Sequence, residues 1–159
     1  DALTSYEKRL VKEYSDVMRS KFGLILKDEG DNALINNFLE LLYTQKKDYH
    51  RAFRMLLNQN ENLLGEKFES WLKDYKKRIN KEENLTQSLN LMKQFNPKYI
   101  LRNYLAEVAI REAEDLKKYE DIDILFRLLK RPFDNYHGYE SYDSAPPDWA
   151  KHLDLICSS

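Results

Sequence analysis

Cysteine, glycine, proline and long apolar runs are all scarce in this chain. Its 159 residues include 1 cysteine, 4 glycines and 4 prolines. A single cysteine, Cys157, cannot close an internal disulfide, so a secreted disulfide scaffold is excluded and the cytosol or a similar compartment is the default. With so few turn-forming residues, loops are short of material and helices are favoured. The longest apolar runs, such as LLY and MLL, fall far below the length a membrane span needs. An excess of one charge is absent too: 26 basic and 27 acidic residues nearly cancel. A general nucleic-acid or polyanion binder would carry a strong basic excess. The opening DALTSYEKRL has no initiator methionine and no signal-like core, and it reads as a piece cut from something longer.

What is present is a globular composition, 42% apolar and 33% charged, in a length that suits one core. Thr4 and Glu7 in TSYE fit a capping box, and Leu10, Tyr14, Val17 and Met18 then fall on one helical stripe that ends near Gly23. KDEGDN, Lys27 to Asn32, reads as a turn, without the alternating oxygen ligands and distant glutamate of a calcium loop. Asp31 or Asn32 can cap a second helix carrying Leu34, Ile35, Phe38, Leu39, Leu41 and Leu42. DYHRAFRMLLN supplies a short third helix. The fourth is the clearest, with Phe68, Trp71, Leu72, Tyr75 and Ile79 at helical spacing. Lys73, Lys76, Lys77 and Arg78 lie on its other face, and the neutral net charge favours a solvated face over a phosphate contact.

Leu85, Leu89, Met92 and Phe95 mark a fifth helix. Asn96 as cap and Pro97 at the first helical position open a sixth, striped by Leu101, Tyr104, Leu105 and Val108. A seventh, around Asp121 to Lys130, stops before Pro132. No window alternates with period two for long enough to make a strand. The expected fold class is all-α, about seven helices over residues 1–130, followed by an irregular aromatic and proline-rich tail over 131–159. Phe133, Tyr139, Tyr142 and Trp149 are expected to dock that tail onto a surface.

Chemistry is harder to find. His50, His137 and His152 show no metal-ligand spacing, and the pair His152 and Cys157 would need two further ligands to hold zinc. Carboxylates read as helix-surface partners of lysines, as in EKRLVKE. Gly23, Gly30, Gly65 and Gly138 are isolated, so no phosphate-cradling loop exists, and no nucleophile elbow occurs. NLT at Asn84 is a glycosylation sequon only in a secreted chain. The residues themselves read as a helical module with no catalytic, cofactor-binding or metal residue of its own. Cys157, third from the end, is open to two readings. A lone thiol is usually an inert hydrophobe, yet a chain end is commonly exposed and reachable.

Three stretches carry a resemblance: NPKYILRNYLAEVAI (Asn96 to Ile110), LLKRPFDN (Leu128 to Asn135) and YDSAPPDWAKHLDLICSS (Tyr142 to Ser159). In residues, order and spacing they resemble the carboxyl-terminal end of the selenoprotein O family. DYHRAFRML and SWLKDYKKRI resemble the looser helical stretch before it, so the likeness runs back to about Tyr14. The resemblance implies a longer parent with a kinase-like fold that binds nucleotide in a flipped orientation. Such a parent moves AMP from ATP onto Ser, Thr or Tyr hydroxyls of proteins, with Mg2+ or Mn2+. The family's nucleotide and metal motifs lie in the kinase-like region and match nothing here, so none is carried over.

The implied partners are the upstream kinase-like region of the same chain and the protein substrates of the parent, with no nucleic acid and no membrane. The implied location is cytoplasmic for a bacterial member and mitochondrial for a eukaryotic one. Cys157 stands where the family has cysteine or selenocysteine, which in bacterial members can bond to a cysteine of the kinase-like region; a redox role is therefore implied. Arg102 and Asn103 either face the kinase-like lobe or serve as helix start and surface ion pair. The alternative to an adenylyltransferase segment is a free-standing helical module that binds a protein through its aromatic surface.

Overall fold

The computed structural model describes residues 2–152, and these form an all-α fold with no strand among them. Seven α-helices follow in order: α1 (Ala2–Lys21), α2 (Asp31–Thr44), α3 (Tyr49–Leu57), α4 (Glu69–Ile79), α5 (Leu85–Phe95), α6 (Asn103–Leu116) and α7 (Glu120–Lys130). Short 3-10 turns lie at Glu61–Leu64, Glu66–Phe68, Glu140–Asp143 and Asp148–His152. Two compact units divide the chain at Asn96/Pro97. Contact thus groups α6 and α7 with the residues after them, whereas composition changes only near Arg131.

In the first unit, the apolar positions of α2, α3 and α4 converge on Phe22. Its ring meets Phe53 edge-on with centroids 4.9 Å apart and Phe38 at 5.2 Å. Trp71 packs 4.4 Å from Phe38 and stacks on Tyr75 at 5.1 Å. Each fully buried ring of this kind contributes about 1.5–3 kcal/mol. The two polar tips are satisfied: Trp71 Nε1 donates to the Leu34 carbonyl at 2.8 Å, and the Tyr75 hydroxyl donates to that of Phe22 at 3.0 Å. Gly23, at φ 72°, lets the chain turn beside α5; a Cβ there would sit 2.9 Å from the Ser88 carbonyl oxygen.

Several local expectations change. The helix is already formed at Ala2, so Thr4 lies inside α1 instead of capping it. Of the α1 stripe only Met18 is buried; Leu10, Tyr14 and Val17 are exposed. Gly30, not Asp31 or Asn32, stands at the α2 N-cap, because the Asp31 side chain is drawn inward to Arg78. Asn96 and Pro97 do not open α6, which begins at Asn103. Asn96 is buried and its side chain is committed to Lys21: Nδ2 donates to the Lys21 carbonyl at 2.8 Å and Oδ1 accepts from Lys21 Nζ at 3.0 Å. The true side-chain caps are Asp48 on α3 and Asn84 on α5, whose carboxylate and amide oxygens accept from the Arg51 and Gln87 amides.

In the second unit, Ala109 and Ala113 on α6 are buried, as are Leu125 and Leu128 on α7. Lys117 in the left-handed conformation ends α6. The amides of Lys98 and Tyr99 both donate to the Pro132 carbonyl, at 2.7 and 3.1 Å, which holds the segment before α6 beside the end of α7.

Candidate functional site

Two constellations gather polar side chains within single units. In the first unit Arg78 is only 6% exposed and takes four acceptors. Its Nε lies 2.6 Å from Asp31 Oδ1, Nη1 lies 2.8 Å from Glu82 Oε1, and Nη2 donates to the Leu26 carbonyl at 2.6 Å and to Asp31 Oδ2 at 3.3 Å. Glu82 also accepts from the Leu26 amide at 3.0 Å. Burial alone would lower the Arg78 pKa, but the hydrogen bonds it donates to Asp31 and Glu82 outweigh that and hold it above its ordinary value. The four-residue basic cluster read on α4 is therefore divided. Arg78 is buried and paired, Lys76 pairs with Glu61 at 2.6 Å, and Lys77 with Asp74 at 3.3 Å.

Lys21 is the second buried cation of this unit. Its Nζ donates to the Phe95 carbonyl at 2.9 Å and lies 4.9 Å from the Phe53 ring centre. Burial lowers its pKa. Since it caps the last turn of α5 and closes on Asn96, it reads as a clasp and not as a nucleophile.

An open cleft of about 750 Å³ beside these elements is lined by Glu61, Glu66, Glu69, Lys73 and Lys76 among others. Burial would raise the Glu61 carboxyl, but the hydrogen bond from Lys76 prevails and holds it below the usual range. A general acid working near neutral pH needs the opposite shift. Among the described residues no three of His, Cys, Asp or Glu gather as a metal set.

In the second unit the stretch after Pro132 is tied to the helices by its tyrosines. The Tyr142 hydroxyl donates to Asp121 Oδ1 at 2.8 Å, and Arg127 binds the Tyr139 hydroxyl while its guanidinium lies 4.8 Å from the Tyr139 ring centre. Burial and the Asp121 carboxylate push the Tyr142 phenol up to about 12. Tyr99 donates to the Tyr136 carbonyl at 3.2 Å. Trp149 meets Tyr104 edge-on at 6.1 Å yet stays exposed, as does Phe133. Arg102 is the extended residue that precedes α6, and Asn103 is its first. Cys157 and the side chain of His152 lie outside the described residues.

The side chains of both constellations are engaged in pairing and packing, and the comparisons with known proteins carry the identity. The family model described as protein adenylyltransferase SelO matches residues 1–131. The chain belongs to the SelO family. The protein nucleotidyltransferase YdiU of Aliivibrio salmonicida (strain LFI1238) is 39% identical over 168 residues, covering 99% of this chain and 34% of that protein. YdiU of Yersinia pseudotuberculosis serotype O:1b (strain IP 31758) is 37% identical over 172 residues, covering 99% and 35%. YdiU of Burkholderia multivorans (strain ATCC 17616 / 249) is 35% identical over 170 residues, covering 99% and 32%. This SelO-family chain thus spans about a third of the length of the curated relatives it matches.

Sequence spacing does not pair the residues that organise the first unit, Lys21, Asp31, Arg78 and Asn96. The i,i+4 spacing of Arg78 and Glu82 was the one signal in reach. Lys21 and Asn96 are separated by 75 residues, and nothing local pairs them.

Proposed function

We propose that this chain is the helical, non-catalytic part of a SelO-type protein adenylyltransferase, whose activity is transfer of AMP from ATP to Ser, Thr or Tyr hydroxyls of other proteins. The observation that carries the reading is one of extent. Nearly all of the chain matches nucleotidyltransferases, yet it accounts for only about a third of each. On this reading the pseudokinase-like catalytic region, with ATP and Mg2+ or Mn2+, belongs to the remaining two thirds. In keeping with that reading, no three of His, Cys, Asp or Glu gather among the described residues, and the four glycines are scattered singly along the chain.

The redox part of the reading rests on Cys157, the only cysteine. Its thiol would form a disulfide with a thiol of the remaining region, and two electrons and two protons would pass to an oxidant such as a peroxide or another disulfide. The partners are then that region and the protein substrates. The relatives named above are bacterial, which supports a cytoplasmic location.

The test is AMP transfer from ATP labelled at the α-phosphate, with Mg2+ or Mn2+ present. The full gene product is expected to label itself or an acceptor protein, and these 159 residues alone are expected not to. Transfer by the short chain would overturn its non-catalytic role, and no transfer by the full product would overturn the activity. A non-reducing peptide map of the oxidised full product is expected to join the peptide holding Cys157 to one outside this chain. A gene that encodes only this chain would leave the interaction-module reading in place.

A further inference from the structure

The first half of α1 is open to solvent among the described residues. Residues 4–14 are all exposed, a length of about 16 Å of helix. Burial begins only at Met18, where α1 reaches the first unit's core. A helix standing free over three turns is marginal in water unless an amphipathic face is covered. That face exists. Tyr6, Leu10, Tyr14 and Val17 are 63%, 55%, 55% and 44% exposed. At 100° per residue they fall within about 80° of the helix circumference. Glu7 and Glu13 flank this stripe, one on each side, and Lys8 and Lys12 occupy the opposite face. Elsewhere in the first unit, Tyr43 is exposed singly and needs no cover.

We propose that the stripe of Tyr6, Leu10, Tyr14 and Val17 is the surface against which the rest of the parent chain docks, through an apolar groove rimmed by basic side chains. The inference rests on the proposed reading of this chain as part of a longer nucleotidyltransferase. About two thirds of each relative lies outside the matched region, which supplies ample chain to cover one helix face. The flanking glutamates argue against a second copy as the occupant. Two such stripes facing each other would set acidic rim against acidic rim, and like charges across an interface are costly. A basic-rimmed groove would instead pair with both.

The experiment uses the full gene product, with the photo-cross-linking residue p-benzoylphenylalanine at Leu10 in one sample, at Tyr14 in a second, and at Tyr43 as control. Irradiation is expected to give products of monomer mass from the first two. Their cross-linked peptides should come from outside these 159 residues. Tyr6→Glu, which places a charge in the apolar contact, is expected to lower the yield from the Leu10 probe by about tenfold. Products of dimer mass that join two copies of α1 would overturn the proposal. So would yields no greater than at Tyr43, or a gene that ends with this chain alone. AMP transfer measured on the same samples separates the two readings. Cross-links without transfer uphold the docking face and sink the activity, and transfer without cross-links does the reverse.

Discussion

At the scale of the residue, Arg78 and its neighbour Lys77 are a matched pair for experiment. Both belong to the run of cations on α4, but Arg78 is buried with Asp31 and Glu82 while the Lys77 side chain is 79% exposed. Removing one partner from a buried ion cluster leaves uncompensated charge, which costs about 3–5 kcal/mol. Removing an exposed one changes stability by about 0.5 kcal/mol or less. Arg78→Ala is therefore expected to lower the urea midpoint steeply and Lys77→Ala to leave it nearly in place, read from Trp71 fluorescence. Equal effects would mean that the Arg78 cluster is hydrated in solution. The stripe Phe68, Trp71, Leu72, Tyr75 and Ile79 was legible from spacing, and all five are buried. The inward turn of Arg78 was not, because its helix position says nothing about an aspartate 47 residues away.

At the scale of the element, capping decided which expectations survived. α3 and α5 begin where short polar side chains can accept from the third residue onward, Asp48 from Arg51 at 2.9 Å and Asn84 from Gln87 at 3.2 Å. Asn84→Ala is expected to cost about 1 kcal/mol and Asn84→Asp to retain most of it, measured by thermal unfolding. A loss of the same size in both variants would deny the amide oxygen its role. Asn96 has the same chemistry, and it precedes a proline, yet it caps nothing after it. The buried Lys21 ammonium claims its side-chain oxygen, and α6 starts seven residues later at Asn103. Local propensity for a cap was outweighed by the need of a buried cation for acceptors.

At the scale of the whole molecule, pH reports on how the tyrosines are held. Tyr142 ionises at about 12 in the fold, raised by burial and by Asp121, against an ordinary value near 10. Burial raises Tyr75 as well. A folded pKa above the unfolded one means that the unfolded chain releases its proton first as pH rises. The stability these phenols contribute is thus complete below about pH 10 and is lost as pH climbs towards 12. Tyr142→Phe is expected to reduce that alkaline loss, at a cost near neutrality of about 1 kcal/mol for the missing hydrogen bond. Denaturant unfolding at pH 8 and pH 11, followed through Trp149, checks both; an unchanged alkaline slope would show that Tyr142 is not held by Asp121.

The amino-acid sequence by itself determined that the chain is helical, where most of its helices lie, and which family it resembles. Those properties depend on spacing, on breakers such as Pro132 and on residue identity, all of which are local in the chain. Tertiary structure decided what the polar residues do. It buried Arg78 and Lys21 with acceptors brought from 47 and 75 residues away, took Asn96 from the start of α6, and left the apolar face of α1 bare. The reason is desolvation: a charge or an apolar stripe acquires its role from what covers it, and that cover is set by packing in three dimensions.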